Sequence, residues 1–145
     1  IRVELPEILT NTVVIRFFPN DWDLHKKVLR KTADGKEAED LYDPSVDSVL
    51  EGVAQLVGKF GAARVIIEGH TDASMRGQAP VALVKELSMN RANAVKQALV
   101  AKYNLDPARL QVDGIGWDRP ADPKEPLNHA KNRRVEIKVY PAERQ

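Results

Sequence analysis

The chain has 145 residues, 43% of them hydrophobic, with 22 Lys and Arg against 21 Asp and Glu for a formal charge of +1. That length suits one domain with a real core, the apolar content excludes a disordered chain, and the balanced charge points to neither nucleic acid nor a membrane surface. The lack of cysteine excludes a disulfide framework, a thiolate nucleophile and a cysteine zinc site; it fits an envelope or extracytoplasmic protein that avoids thiols, and many cytosolic proteins lack Cys as well. No apolar run approaches the ~20 residues of a membrane span, and no signal peptide is recognisable. A chain that starts at Ile1 rather than Met is expected to be a fragment or a processed product.

Residues 1–11 are expected to form an N-terminal arm or edge strand. The run TVVIRFF at 12–18 puts Val13, Ile15 and Phe17 on one face and Val14, Arg16 and Phe18 on the other. That is the period of a strand, and Pro19-Asn20-Asp21 ends it. Residues 22–32 are expected to form a short helix. Residues 31–43 are charged and carry the turn pair Asp34-Gly35, so 22–43 reads as an insertion that the core does not require. Asp43 and Pro44 then open a helix, as N-cap and first helical residue. Val46, Val49, Leu50, Val53, Val57 and Phe60 form its apolar stripe, and Gly61 suits its C-terminal cap. A strand follows at 64–69, then a loop or partly helical stretch over 73–86.

Ser88 is placed to cap a second helix over 88–103, with Leu87, Val95, Leu99 and Tyr103 as its stripe, flanked by Ala94 and Ala98. Residues 106–116 read as a turn and a strand with Leu110 and Val112 facing inward. Residues 117–131 form a long loop with three prolines. The last strand, 132–140, alternates Arg133, Val135, Ile137 and Val139 against Arg134, Glu136, Lys138 and Tyr140. Two helices against four strands make an α+β two-layer sandwich. No repeat or linker divides the chain, so 1–145 is expected to be a single domain.

Several residues could carry chemistry. Asp72 lies just past the end of the strand that contains Val65, Ile66 and Ile67; it is either a turn residue bonding its own backbone or a ligand-facing carboxylate. Arg91 falls four residues after Leu87 and four before Val95, in the core-facing row of a helix. A guanidinium there needs a partner, because an unpaired buried charge is costly. Either it joins a structural ion pair with Asp72 or Glu68, or it grips a ligand carboxylate with its fork, helped by the nearby helix N-terminus. Arg133 repeats the anomaly beside Val135; its alternative is a packed stem with the head in water. His70 and Asp72 are too few for a metal site, and the His70 ring is expected to bond a neighbouring loop. There is no G-x-S-x-G elbow. A carboxylate pair such as Glu68 and Asp72 is weak support for acid–base work on a sugar. Lys131, Arg133 and Arg134 run into an alternating strand with Glu136, which is not a nucleic-acid patch.

Four blocks in order, GHTD at 69–72, LSMNRANAV at 87–95, GIGWDRP at 114–120 and NHAKNRRVEI at 128–137, resemble the OmpA-like peptidoglycan-binding domain family. The resemblance implies a βαβαββ fold, with a mixed four-stranded sheet and two main helices on one face. It implies a periplasmic, cell-envelope module of Gram-negative type that binds peptidoglycan without covalent chemistry, through meso-diaminopimelate of the stem peptide, and so anchors a larger protein to the cell wall. Carried over from the motifs, Asp72 takes the ligand's ammonium group and Arg91 takes a carboxylate. Ser74 stands for a threonine that members often place nearby, Asn20 belongs to the turn after the first strand, and Arg133 comes from the NRR block. The implied partner is peptidoglycan, with no cofactor, no metal, no nucleic acid and no membrane insertion by this domain; a homodimer is left open. The chain departs from the family pattern in a longer 73–86 connection, in Val84 where an Asn is common, and in Phe18-Pro19-Asn20-Asp21 followed by 22–43. The competing readings are an interaction module that keeps the fold with the ligand site lost, in which Asp72 and Arg91 pair with each other, and a wall-cleaving enzyme.

Overall fold

A computed structural model describes residues 13–59 and 63–140. The expected arm at 1–11 and the expected helix end at Phe60 and Gly61 lie outside the described residues. Strand β1, Val13–Arg16, continues its alternation into Phe17, and Ile15 and Phe17 are both buried. Strand β4, Arg64–His70, lies inside the main sheet between β6, Arg134–Tyr140, and β5, Leu110–Gly116. The order is β1-β6-β4-β5, with β4 parallel to β5 and antiparallel to β6, and β6 antiparallel to β1.

The register places Ile67 opposite Ile137 and Ile15 opposite Val135. These side chains share one face and meet helix α1, Val46–Lys59, through Val46, Leu50, Val53 and Val57. Helix α2, Val81–Tyr103, adds Ala92, Val95 and Leu99. The result is the two-layer sandwich expected from the alternation of elements. A parallel β4–β5 pair needs a long crossover, and α2 supplies it. Two glycines let α2 lie directly on those strands. A Cβ at Gly69 would sit 1.7 Å from the Ser88 carbonyl oxygen, and one at Gly114 would sit 2.9 Å from the Lys85 carbonyl oxygen.

Several expectations are corrected. Residues 22–32 do not form a helix: strand β2, Lys27–Lys31, pairs with β3, Glu37–Leu41, as a separate two-stranded hairpin. The turn residue Gly35, at φ 81°, reverses the chain, and Thr32 and Lys36 close the turn. Reversal sets Lys31 opposite Glu37, and Arg30 Nη2 donates to the Tyr42 carbonyl at 2.7 Å, just past the second strand.

Ser88 does not cap α2, which starts at Val81, seven residues earlier, without a side-chain cap. The Ser88 hydroxyl instead donates to the Lys85 carbonyl at 2.7 Å and accepts from the Gly116 N–H at 3.1 Å, tying the helix to β5. The buried stripe of α2 is accordingly Val84, Ser88, Arg91, Ala92, Val95 and Leu99, with Leu87, Ala94, Ala98 and Tyr103 only partly covered. Arg91 therefore lies ten residues past the helix start, and the N-terminal dipole, which fades within the first turn, does not act on it. Helix α1 starts at Val46, after Asp43 and Pro44; the Asp43 carboxylate accepts from the Ser45 and Arg16 N–H groups, both at 2.9 Å.

Candidate ligand-binding cleft

The end of β4 and the buried row of α2 converge at one rim of the sheet. After His70 the Thr71 N–H bonds the Gly116 carbonyl at 2.8 Å, which ends the strand and turns Asp72 outward. One Asp72 oxygen accepts from the Ser74 N–H at 2.9 Å and from the Ser74 hydroxyl, an Asx-type turn. The other lies 3.2 Å from Arg133 Nη1. Burial pushes the Asp72 carboxyl up, but the Ser74 bonds and the Arg133 charge outweigh it and hold it below its ordinary value. Arg133 also donates to the Phe17 carbonyl at 3.1 Å and to the Tyr42 hydroxyl at 3.2 Å. Its head is thus held by three groups rather than reaching water, and Arg133 immediately precedes β6 instead of lying within it.

Arg91 is 1% exposed. Its Nε donates to the Asp21 carbonyl at 2.8 Å, Nη1 to the His70 carbonyl at 2.9 Å and Nη2 to the Phe18 carbonyl at 3.3 Å. The Phe17 ring centroid is 5.5 Å from the guanidinium carbon. The expected pairing of Arg91 with Asp72 or Glu68 is not formed: no described carboxylate lies within ion-pair distance of it, and Asp72 is bridged by Arg133. Burial pulls the Arg91 pKa down to about 10, against the raising effect of the Asp72 charge, so the group stays cationic at neutral pH. Asn20, at φ 58°, makes the left-handed turn after β1, where the Asp21 N–H bonds the Phe18 carbonyl at 3.2 Å. That turn presents two of the carbonyls that hold Arg91.

Asp72, Ser74, Arg91, Arg133 and Asn20 all line one cleft of about 510 Å³. The charged head groups and Ser74 meet there with Thr71, whose buried hydroxyl has no partner among the described residues. Residue type and spacing did not single out Thr71 or Tyr42. Their roles depend on where the strand ends and on a hairpin that sequence pattern read as helix.

His70 belongs to the opposite face of the sheet. Its two ring nitrogens have no hydrogen-bond partner among the described residues, so the expected bond to a neighbouring loop is not made there; Nε2 is 3.6 Å from Glu68 Oε1. Burial, reinforced by the Arg134 charge, depresses the His70 pKa to about 4 and keeps the ring neutral at pH 7. Donor atoms of Glu68, His70 and Glu136 lie within 4.8 Å of one another. However, Lys138 Nζ is 3.0 Å and Arg119 Nη2 3.6 Å from the Glu68 carboxylate, and Arg134 is 2.6 Å from that of Glu136. Three cations already exceed two carboxylates, and a divalent ion would add to that excess. Burial pushes Glu68 up, but Lys138 and Arg119 hold its carboxyl below the ordinary value.

The model of the OmpA family matches residues 36–134. The chain belongs to the OmpA family. It is 42% identical over 97 residues to outer membrane protein Omp38 of Acinetobacter baumannii, covering 66% of this chain and 25% of that protein. It is 34% identical over 91 residues to outer membrane porin F of Pseudomonas aeruginosa, covering 62% of this chain and 25% of that protein. The chain thus spans about a quarter of the length of these relatives. The peptidoglycan-associated lipoprotein of Burkholderia pseudomallei shares the fold, with a TM-score of 0.61 at 18% identity over 87% of this chain and 88% of that one. With outer-membrane relatives in Gram-negative bacteria, the chain is a cell-envelope domain. Among the described residues no helix is long and apolar enough to cross a membrane. The family match contains Asp72, Ser74, Arg91 and Arg133 and leaves Asn20 outside.

Proposed function

We propose that the cleft binds peptidoglycan non-covalently, through meso-diaminopimelate of the stem peptide, and so anchors a larger envelope protein to the cell wall. The observation that carries this reading is a buried arginine with no carboxylate partner among the described residues, facing a cleft shared with Asp72. Three of the five guanidinium N–H groups of Arg91 meet carbonyls. Two remain for an incoming carboxylate, and the unpartnered Thr71 hydroxyl lies on the same cleft. Asp72 retains acceptor capacity beyond Ser74 and Arg133 and suits an ammonium group. Family membership and the shared fold of a peptidoglycan-associated lipoprotein support the same reading.

Charge-assisted bonds of this kind contribute about 1.5–3 kcal/mol each, so a few support binding on the order of micromolar to millimolar. Avidity along a polymeric wall then converts weak single contacts into retention. The test is co-sedimentation of the domain with purified sacculi. Wild type is expected in the pellet, with Asp72→Asn and Arg91→Gln largely in the supernatant. Equal sedimentation of all three refutes the site, and released wall fragments would indicate an enzyme instead. The Asp72–Arg133 bridge favours a second reading, an interaction module whose acidic group is already satisfied. A folded wild-type domain that leaves sacculi unbound would support it.

A further inference from the structure

Strands β2 and β3 are paired with each other in a sheet of their own, apart from the main one. A lone two-stranded hairpin is marginal in water unless something holds it. What holds this one lies at its base, around Tyr42. The Tyr42 N–H bonds the Lys26 carbonyl at 2.7 Å, and the Tyr42 carbonyl accepts from Arg30 Nη2 at 2.7 Å. The Tyr42 ring meets the Phe18 ring edge-on, with centroids 5.6 Å apart and planes at 89°. Lys26 Nζ lies 5.2 Å from the centroid of that Phe18 ring. The next residue, Asp43, accepts from the Arg16 and Ser45 N–H groups. Tyr42 is thus fixed at both backbone and ring where the hairpin joins the body of the domain.

The Tyr42 hydroxyl oxygen accepts from Arg133 Nη2 at 3.2 Å. The other amino nitrogen of Arg133, Nη1, reaches Asp72 Oδ2 at 3.2 Å, and Nε donates to the Phe17 carbonyl at 3.1 Å. An arginine beside a carboxylate frequently closes on it with both prongs of its fork, in two parallel N–H···O bonds. Here the fork is split, with one prong on Asp72 and the other on Tyr42. The second oxygen of Asp72 is held by the Ser74 N–H and hydroxyl. A closed fork would crowd that oxygen as well and occupy the acceptor sites that an ammonium group needs. The Asp72 and Arg133 side chains are only 11% and 13% exposed, so water screens this choice between one bond and two only weakly.

We infer that Tyr42, carried in by the hairpin, is a positioning residue: it holds one prong of Arg133 off Asp72 and so keeps that carboxylate open to the ammonium group of a ligand. This rests on the reading of the charged end given above. Tyr42 lies behind Arg133 rather than among the residues that line the cleft, so its effect on a ligand passes through Arg133. A hydroxyl suits the task because it accepts an N–H without adding charge. A carboxylate in its place would draw the whole guanidinium away from Asp72, and a phenyl ring would offer no acceptor and release the prong to Asp72. The hairpin, which the main sheet does not require, thereby gains a use: it delivers the hydroxyl that sets how far the acidic end of the cleft is open.

The test is calorimetric titration of wild type and Tyr42→Phe with meso-diaminopimelate and with pimelate, the same dicarboxylate chain without either ammonium group, repeated in an Arg133→Gln background. Tyr42→Phe keeps the ring against Phe18 and removes only the hydroxyl. Wild type is expected to prefer diaminopimelate over pimelate at least about tenfold. Tyr42→Phe is expected to cut that preference about fivefold, the worth of one hydrogen bond, by weakening diaminopimelate and leaving pimelate unchanged. In the Arg133→Gln background the same substitution is expected to leave the preference unchanged, because the prong it would release is gone. Carboxyl NMR of Asp72 gives a second readout: two charge-assisted bonds in place of one move its titration to lower pH in Tyr42→Phe, which a general loosening of the fold would not do. The inference is overturned if Tyr42→Phe weakens both ligands equally, if the preference survives it, if the loss persists without Arg133, or if Asp72 titrates at higher pH. A wild type that prefers diaminopimelate keeps the charged-end reading intact in each of those cases. A wild type that shows no preference, or binds neither ligand, removes that reading and this inference together.

Discussion

Arg91 and Arg134 are buried alike, at 1% and 2% exposure, and differ in what neutralises them. Arg134 brings its own counter-ion, Glu136 at 2.6 Å, and spends its remaining groups on the Asn132 and Arg119 carbonyls. Arg91 meets three carbonyls and no described carboxylate. The first arrangement is closed: both charges are satisfied before any ligand arrives. The second is held in place by carbonyl dipoles beside the cleft, with no described carboxylate to neutralise it. Equal burial of the two arginines thus goes with opposite arrangements of the counter-ion, and removing one partner of a buried pair such as Arg134–Glu136 is costly.

The strongest way to break both arginine sites is through the strand they share. Gly69→Ala would place a methyl 1.7 Å from the Ser88 carbonyl oxygen and force α2 off the sheet. A loss of about 3 kcal/mol or more is expected in urea unfolding, and wild-type stability would show that the helix yields without cost. Next, Arg134→Met leaves the Glu136 carboxylate without its partner. It is expected to cost about 3 kcal/mol of stability while leaving the affinity for diaminopimelate within about twofold. Equal effects on stability and binding would erase the distinction between the two arginines.

Acid then sharpens the contrast. The neutral His70 has a folded pKa of about 4, below its ordinary 6.5, so the unfolded chain binds more protons in that interval. Stability is fully present above pH 6.5 and falls as the pH drops toward 4, by about 3 kcal/mol at most. Below pH 4 this group contributes no further slope. Unfolding midpoints across pH 4–7 for wild type and His70→Asn check this: the variant's profile should be flatter, and parallel profiles would place the slope elsewhere.

Much of this was legible in the sequence. Period-two alternation located β1 and β6, the GHTD turn marked the rim, and a charged residue in an apolar helical row marked Arg91. The failures share a physical cause, which is dependence on distant partners. Asp72 meets an arginine 61 residues away, and Arg91 meets carbonyls 70 and 73 residues away. Local spacing gives no hint of either. The α2 start was missed because Pro80 and Val81 carry no polar cap, and Ser88 looked like one while serving β5. The hairpin at Lys27–Leu41 is hard to read from sequence because its strands are mostly exposed and carry no apolar alternation.

The central claim is that Arg91 reserves its charge for a ligand carboxylate. It is tested most directly by calorimetric affinities for meso-diaminopimelate and for lysine, which is the same molecule without the second carboxylate, in wild type and in Arg91→Gln. A carboxylate gripped by a buried guanidinium is expected to make diaminopimelate at least about tenfold tighter than lysine in wild type, with that ratio falling close to one in the variant. Equal affinities in wild type, or a ratio that survives the substitution, would contradict the account.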